Sequence, residues 1–98
     1  MQLFRITSAT TTTLISTNED QGTIKSITVA NCHASNDLTI RLFYSDGTND
    51  TSIVENLVIP GGTTLLLGDD HDISFDNSFL SLKLQTAGTS LDCNVIIT

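Results

Sequence analysis

The 98-residue sequence predicts an all-β protein, and three observations carry that prediction. Threonine occurs 16 times and serine 10 times, whereas glutamate and lysine occur twice each, so few residues favour a helix and many are β-branched. Apolar and polar residues alternate with a period of two in several segments, as in half-buried strands. Turn-forming residues separate these segments at short, regular intervals. We therefore predict a single domain, residues 1–98, built as a small β-sandwich.

The alternation places individual strands. It is clearest in residues 38–44 and 79–85 and returns in 91–97, with a shorter inward pair at Ile27 and Val29. About eight or nine short antiparallel strands are expected, in an immunoglobulin-like or jelly-roll-like arrangement. Their predicted bounds are 2–7, 11–17, 23–32, 38–45, 51–59, 63–67, 72–75, 79–86 and 91–98. The predicted inward residues are Ile27, Val29, Leu38, Ile40, Leu42, Tyr44, Leu80, Leu82, Leu84, Leu91, Cys93, Val95 and Ile97.

Turn signals lie between these runs. The Asp46-Gly47 pair tolerates positive φ and predicts a hairpin. Pro60-Gly61-Gly62 must break or bulge a strand, because proline lacks a donor and glycine relaxes the backbone. The segment Gly68–Asp72 predicts a further turn, as do residues 76–78 and 87–89.

The charge balance excludes some partners. Eleven acidic and four basic residues give a net charge of −7, a surface that repels phosphate backbones, so we expect no nucleic-acid binding. No apolar run approaches the ~20 residues that span a bilayer, and we expect no membrane partner. The first residues lack the pattern of a secretory signal, so we expect synthesis in a cytoplasm. In that reducing compartment Cys32 and Cys93 are expected to be buried free thiols.

The sequence carries no recognisable catalytic or metal-binding motif, so we predict neither an enzyme nor a cofactor. Cys32 and His33 are adjacent and should face opposite sides of a strand. The acidic residues between Asp69 and Asp76, with His71, are interpreted as a solvated turn rather than a calcium site. An aromatic platform for sugars would have to lie at Phe43 or Tyr44, where a core role is favoured.

The N-terminal segment, residues 1–13, is the first candidate for a contact with a partner. It contains Leu3, Phe4 and Ile6 beside a threonine run. It is either the first strand of the sandwich or an arm that adds to a neighbouring sheet edge. The secondary candidates are exposed loop tips. They are Pro60, Gly61, Gly62, Asp70 and His71.

Six strings in the sequence carry a resemblance to a known group of proteins. They are TTTTLIST (10–17), GTIKSITVANCHAS (22–35), LFYSDGTND (42–50), ENLVIPGGTTLLL (55–67), ISFDNSFLSLKLQTAG (73–88) and DCNVIIT (92–98). Their order resembles small virion structural proteins of tailed bacteriophages, of the kind common among marine and cyanobacterial phages. The resemblance covers nearly the whole chain and consists of strand and turn patterns.

The resemblance implies a non-enzymatic capsid decoration, or cement, protein on the exterior of the virion. Such a protein binds the major capsid lattice and stabilises the head. It also binds copies of itself as a homo-oligomer, with a trimer favoured. The alternatives are a neck, tail or fibre component, or a glycan-binding attachment module.

Overall fold

The described part of the chain contains eight strands and no helix. The structure is a computed structural model that describes residues 2–18, 23–76 and 78–98, with the backbone alone for residue 23 and residues 69–74. The strands are β1 (Gln2–Ile6), β2 (Thr11–Ile15), β3 (Thr23–Asn31), β4 (Leu38–Ser45), β5 (Asp50–Ile59), β6 (Thr64–Ser74), β7 (Ser81–Ala87) and β8 (Cys93–Ile97).

The strands form two four-stranded antiparallel sheets that pack face to face. Sheet A has the order β1-β8-β3-β6, and sheet B has the order β2-β7-β4-β5. The predicted fold class, a small all-β sandwich, is confirmed. Successive strands often lie in different sheets, so each sheet is assembled from segments far apart in the sequence.

The core lies between the sheets and consists almost entirely of aliphatic side chains. Most of the predicted inward residues are buried there, which confirms the alternation. Two of them are only half-buried, Leu80 and Tyr44. The Tyr44 ring packs on Phe75 with the ring centroids 5.0 Å apart, and burial raises the pKa of its hydroxyl.

The N-terminal segment forms an edge strand of sheet A. β1 pairs in antiparallel register with β8 of the same chain, from Gln2 opposite Ile97 to Ile6 opposite Cys93. This is the first of the two alternatives considered for residues 1–13. The other side of β1 is a sheet edge.

The turn predicted over Gly68–Asp72 is wrong, because β6 continues through it and replaces two predicted strands, 63–67 and 72–75. Ser26 of β3 lies opposite Gly68, whereas Ile24 lies opposite Ile73. Residues 69–72 therefore face a single residue of β3, Lys25. Gly68 has a φ of +97° and an added Cβ would lie 2.3 Å from the Lys25 carbonyl oxygen. The glycine and polar residues that suggested a turn instead allow this irregular pairing.

Phe79 is not in a strand, although the alternation predicted one from residue 79. β7 begins at Ser81, and Phe79 lies in the preceding turn with 56% of its surface exposed. In that turn the Asp76 carboxylate accepts hydrogen bonds from the backbone N–H and hydroxyl of Ser78. These local bonds favour a turn over an earlier start of the strand.

Two predicted turns are confirmed. In the β4–β5 hairpin, Oδ1 of Asp46 accepts the backbone N–H of Thr48 at 2.8 Å and of Asn49 at 2.6 Å, and Gly47 takes a φ of +94°. Between β5 and β6 the backbone N–H of Thr63 donates to the Pro60 carbonyl at 3.2 Å, closing a turn with Gly62 at a φ of +78°.

Candidate partner-binding surface

The outer face of sheet A carries a row of four side chains, three aliphatic ones and a threonine, that crosses all four strands. Leu3 of β1 lies opposite Ile96 of β8, Ile96 lies opposite Thr28 of β3, and Thr28 lies opposite Leu66 of β6. We call Leu3, Ile96, Thr28 and Leu66 the apolar row. Its members come from four strands widely separated in sequence, and only the register of the sheet brings them together.

The apolar row is open to solvent. Leu3 is 69% exposed and Leu66 is 52% exposed, at the two edges of the sheet, with Ile96 partly exposed between them. A shallow groove of about 330 Å³ runs between β1 and β8, and Leu3 and Ile96 line it together with Arg5 and Asn94. Isolated exposed apolar residues are ordinary, whereas several grouped on one face are more typical of an interaction surface.

The described side chains of this face are partly basic, whereas the side chains of Asp69, Asp70 and Asp72 on β6 of the same sheet lie outside the described part of the structure. The described ones include the cations Arg5 and Lys25 and no carboxylate, although the protein carries a net charge of −7. Asp92, just before β8, approaches Arg5 with an N–O distance of 3.7 Å. Both side chains are well exposed, so this ion pair contributes little stability.

On the outer face of sheet B, Arg41 and Phe43 are in contact with one another, although Val58 of β5 is 50% exposed. The Arg41 guanidinium lies 4.3 Å from the centre of the Phe43 ring, which is only 4% exposed. Nε of Arg41 donates to the Ser52 hydroxyl at 3.0 Å, and the guanidinium approaches carboxylates of β5 at 3.6 and 3.7 Å. The guanidinium therefore covers the ring and is itself neutralised.

The structure divides the three N-terminal contact candidates between surface and core. Leu3 points outward, whereas Phe4 packs against the core and Ile6 is buried within it. Successive residues of a strand face opposite sides, so the three cannot share one contact. As members of this sheet, Phe4 and Ile6 stabilise the fold, and Leu3 alone is available to a partner.

The secondary candidates lie elsewhere. Pro60, Gly61 and Gly62 form the β5–β6 turn at one end of the sandwich, away from the apolar row. A residue larger than glycine would not fit at Gly61, because an added Cβ would lie 2.8 Å from the His33 carbonyl oxygen and the Ser35 nitrogen. The backbone of Asp70 and His71 belongs to β6, and their side chains lie outside the described part of the structure.

The prediction of two buried thiols is half wrong. Cys93 is buried in the core, whereas Cys32 follows the last residue of β3 and is exposed. Cys32 and His33 therefore lie in a loop, not on opposite faces of a strand as predicted. Burial, and to a smaller extent the nearby Cys32 and Asp92, raise the pKa of Cys93 to about 11. The Cys93 thiol is accordingly protonated and unreactive at neutral pH.

The described side chains provide no obvious chemical site. Among them, no group of three or more His, Cys, Asp or Glu is placed to hold a metal ion. Phe43 lies beneath Arg41 and Tyr44 packs inward, so neither offers an open ring face to a sugar. What this part of the molecule offers is a surface for contact.

The sequence alone does not predict that the four members of the apolar row are neighbours. The alternation of β8 correctly faces Ile96 away from the core, yet an isolated outward isoleucine carries no signal. Leu66 lies in the run Leu65-Leu66-Leu67, where all three residues are equally apolar. A search for outward apolar residues in several strands would have found them, but not that they are neighbours.

Comparisons of the chain with protein-family models, curated proteins and solved structures find no match in any of the three. Within the described residues, no helix is long and apolar enough to cross a membrane.

Proposed function

We propose that this protein is a non-enzymatic virion structural protein, a capsid decoration protein that attaches to the major capsid lattice through the outer face of sheet A. The observation that carries the attachment is the apolar row, which is open to solvent. The assignment to a virion is the expectation raised by the resemblance of the sequence strings to small phage structural proteins.

The geometry supports an adhesive role. Covering a leucine or isoleucine side chain completely contributes ~1.5–3 kcal/mol, and the row contains three such side chains, each already partly covered. One copy would therefore bind modestly through them. A decoration protein gains from repetition, because many modest contacts on a lattice stabilise the assembly by mass action.

The charge distribution supports the same direction of attachment. Sheet B and its β4–β5 hairpin carry carboxylates at Asp46, Asp50 and Glu55, whereas the described side chains on the outer face of sheet A carry none. Binding through the outer face of sheet A leaves these three carboxylates in solvent. That orientation suits the outside of a particle, away from packaged nucleic acid.

The free edge of β1 supports association with further copies of this chain. Register shifts interrupt the edge strands β2, β5 and β6, and such irregularities oppose edge-to-edge pairing. β1 pairs with β8 without a shift and contains no acidic residue, glycine or proline. Its outer edge is the best placed to accept another strand, and a trimer remains the expected oligomer.

The test is the amount of the protein in purified particles, measured by quantitative mass spectrometry against the major capsid protein. A decoration protein is expected at a copy number comparable with that of the capsid subunit. A few copies per particle would overturn decoration in favour of a neck, tail or fibre component. Absence from particles would overturn the virion assignment altogether.

A further inference from the structure

The loop between β3 and β4, residues 32–37, is folded around a histidine side chain. Nδ1 of His33 accepts two backbone hydrogen bonds, from the N–H of Ser35 at 3.1 Å and from the N–H of Asn36 at 3.0 Å. An aspartate or asparagine oxygen commonly holds a turn in this way. Here the acceptor is an imidazole nitrogen, which accepts only while it is unprotonated.

The same loop connects three parts of the molecule. Nδ2 of Asn36 donates to the Thr89 carbonyl in the β7–β8 loop at 2.8 Å. The Asn36 carbonyl accepts Nδ2 of the buried Asn31 at 2.8 Å, and the Asn31 oxygen accepts the His33 N–H at 3.2 Å. The two bonds to the imidazole therefore position Asn36, and through it the contacts to its neighbours.

The β5–β6 turn also depends on this loop. The backbone of His33 and Ser35 lies so close to Gly61 that no side chain fits between them. Asn31 links the two segments, because its Nδ2 also donates to the Ile59 carbonyl at 2.8 Å. Three loops at one end of the sandwich thus meet at the 32–37 loop, which the imidazole and Asn31 hold together.

We propose that His33 is an acid-operated latch: protonation of its imidazole releases the 32–37 loop and with it the contacts to the β5–β6 turn and the β7–β8 loop. A proton on Nδ1 turns the acceptor into a donor facing two backbone donors, so both hydrogen bonds are lost. Histidine is the side chain whose charge ordinarily changes between pH 5 and pH 8.

Carboxylates lie on the elements around this loop, but none described forms an ion pair with His33. The titratable groups on the elements that meet this loop are Cys32 and Asp37 within it and Asp92 before β8, and the β5–β6 turn has none. Release of the loop exposes backbone at this end of the sandwich while both sheets remain intact. The latch does not depend on the proposed function.

The test is amide hydrogen exchange by NMR at pH 7.5 and pH 5.0, corrected for the intrinsic effect of pH, with the His33 ring titrated in parallel. Protection of the Ser35 and Asn36 amides is expected to fall about tenfold or more when the ring is protonated, as for loss of a hydrogen bond. The Thr48 and Asn49 amides, held by Asp46, are the internal control and should stay protected at both values.

Two variants distinguish the effect of protonating the imidazole from the effect of losing the side-chain acceptor. His33→Asn supplies an oxygen that accepts the same bonds without titrating, and its protection should not change between the two pH values. His33→Ala should lack protection at both. Unchanged protection in the wild type would overturn the latch, as would a ring that stays neutral at pH 5.0. Equal loss in His33→Asn would overturn it as well, since that variant has no imidazole to protonate.

Discussion

The two sheets pack against a shared core in the same way and differ in the side chains on their outer faces. Both bury one aliphatic face in a shared core. On sheet B the outward Phe43 is covered by Arg41, which in turn approaches carboxylates of β5. On sheet A the outward apolar row has no comparable cover among the described side chains. Val58 of sheet B is 50% exposed as well, but the apolar row joins side chains of neighbouring strands, so sheet A is the face that we expect to gain from an external partner.

The largest expected effect comes from a charge placed in the apolar row. Leu66→Asp should weaken attachment to particles about a hundredfold, because a carboxylate would be buried unpaired in the contact. Val58→Asp is the matched control: Val58 is 50% exposed, Leu66 is 52% exposed, and both lie on edge strands, but of opposite sheets. Binding to particles stripped of the protein measures both variants. Equal losses would remove the distinction between the faces.

The contact of Arg41 with the Phe43 ring is tested by the free energy of unfolding rather than by binding. Arg41→Ala should lower the free energy of unfolding by about 1–2 kcal/mol, because it uncovers the ring and removes the cation above it. Arg5→Ala on sheet A should change it by less than about 0.5 kcal/mol, since the Arg5 ion pair is exposed. Urea denaturation of the two variants gives the comparison. If Arg5→Ala costs as much as Arg41→Ala, the outer face of sheet A is more organised than we infer.

The reactivity of the two cysteines tests both sides of sheet A, because Cys32 lies near its outer face and Cys93 lies in the core. Cys32 is exposed, and Nδ2 of Asn94 on the outer face lies 3.3 Å from its sulfur. Cys93 faces the core with its pKa raised to about 11. We expect an alkylating reagent at pH 8 to modify only Cys32 in the folded protein and both after unfolding. Attachment to particles should slow the reaction of Cys32, and a rate equal to that of the free protein would argue against a contact at its end of the sheet.

The smallest expected effect is an acid transition in the sheet B hairpin. Hydrogen bonds from the backbone N–H groups of Asn49 and Thr48 lower the pKa of Asp46 below its usual value. Ionised Asp46 therefore stabilises the fold at pH values above the usual aspartate pKa. This stabilisation is lost as the pH falls through the lowered pKa of Asp46 in the folded protein. Asp46→Asn keeps an acceptor and should flatten this dependence. Melting temperatures recorded from pH 5 downward test it, and an unchanged slope would assign the transition to other carboxylates.

The inward faces of the strands could be predicted from sequence because alternation is local. Leu38, Ile40 and Leu42 differ from their neighbours in polarity, and each is buried. The same parity would have separated Leu3 from Phe4 and Ile6, which were grouped only because all three are apolar. Their grouping failed because strand geometry, not hydrophobicity, decides which face a residue takes.

The remaining features depend on pairing between distant segments. Gly68 and the acidic residues after it are compatible with either a turn or an irregular strand, and β3 decides between them through Lys25. The apolar row exists only in the register of four strands. The His33 latch depends on two backbone groups that have no side-chain signature. None of these is fixed by a local pattern.

The central claim is that the outer face of sheet A, and not that of sheet B, attaches the protein to a larger assembly. The chain contains two lysines, one in each sheet: Lys25 is exposed on β3 and Lys83 lies on β7. The most direct measurement is their acetylation rate in the free protein and on purified particles, read by mass spectrometry. We predict that attachment shields Lys25 and leaves Lys83 as reactive as in the free protein. Shielding of Lys83 with Lys25 unchanged would contradict the account.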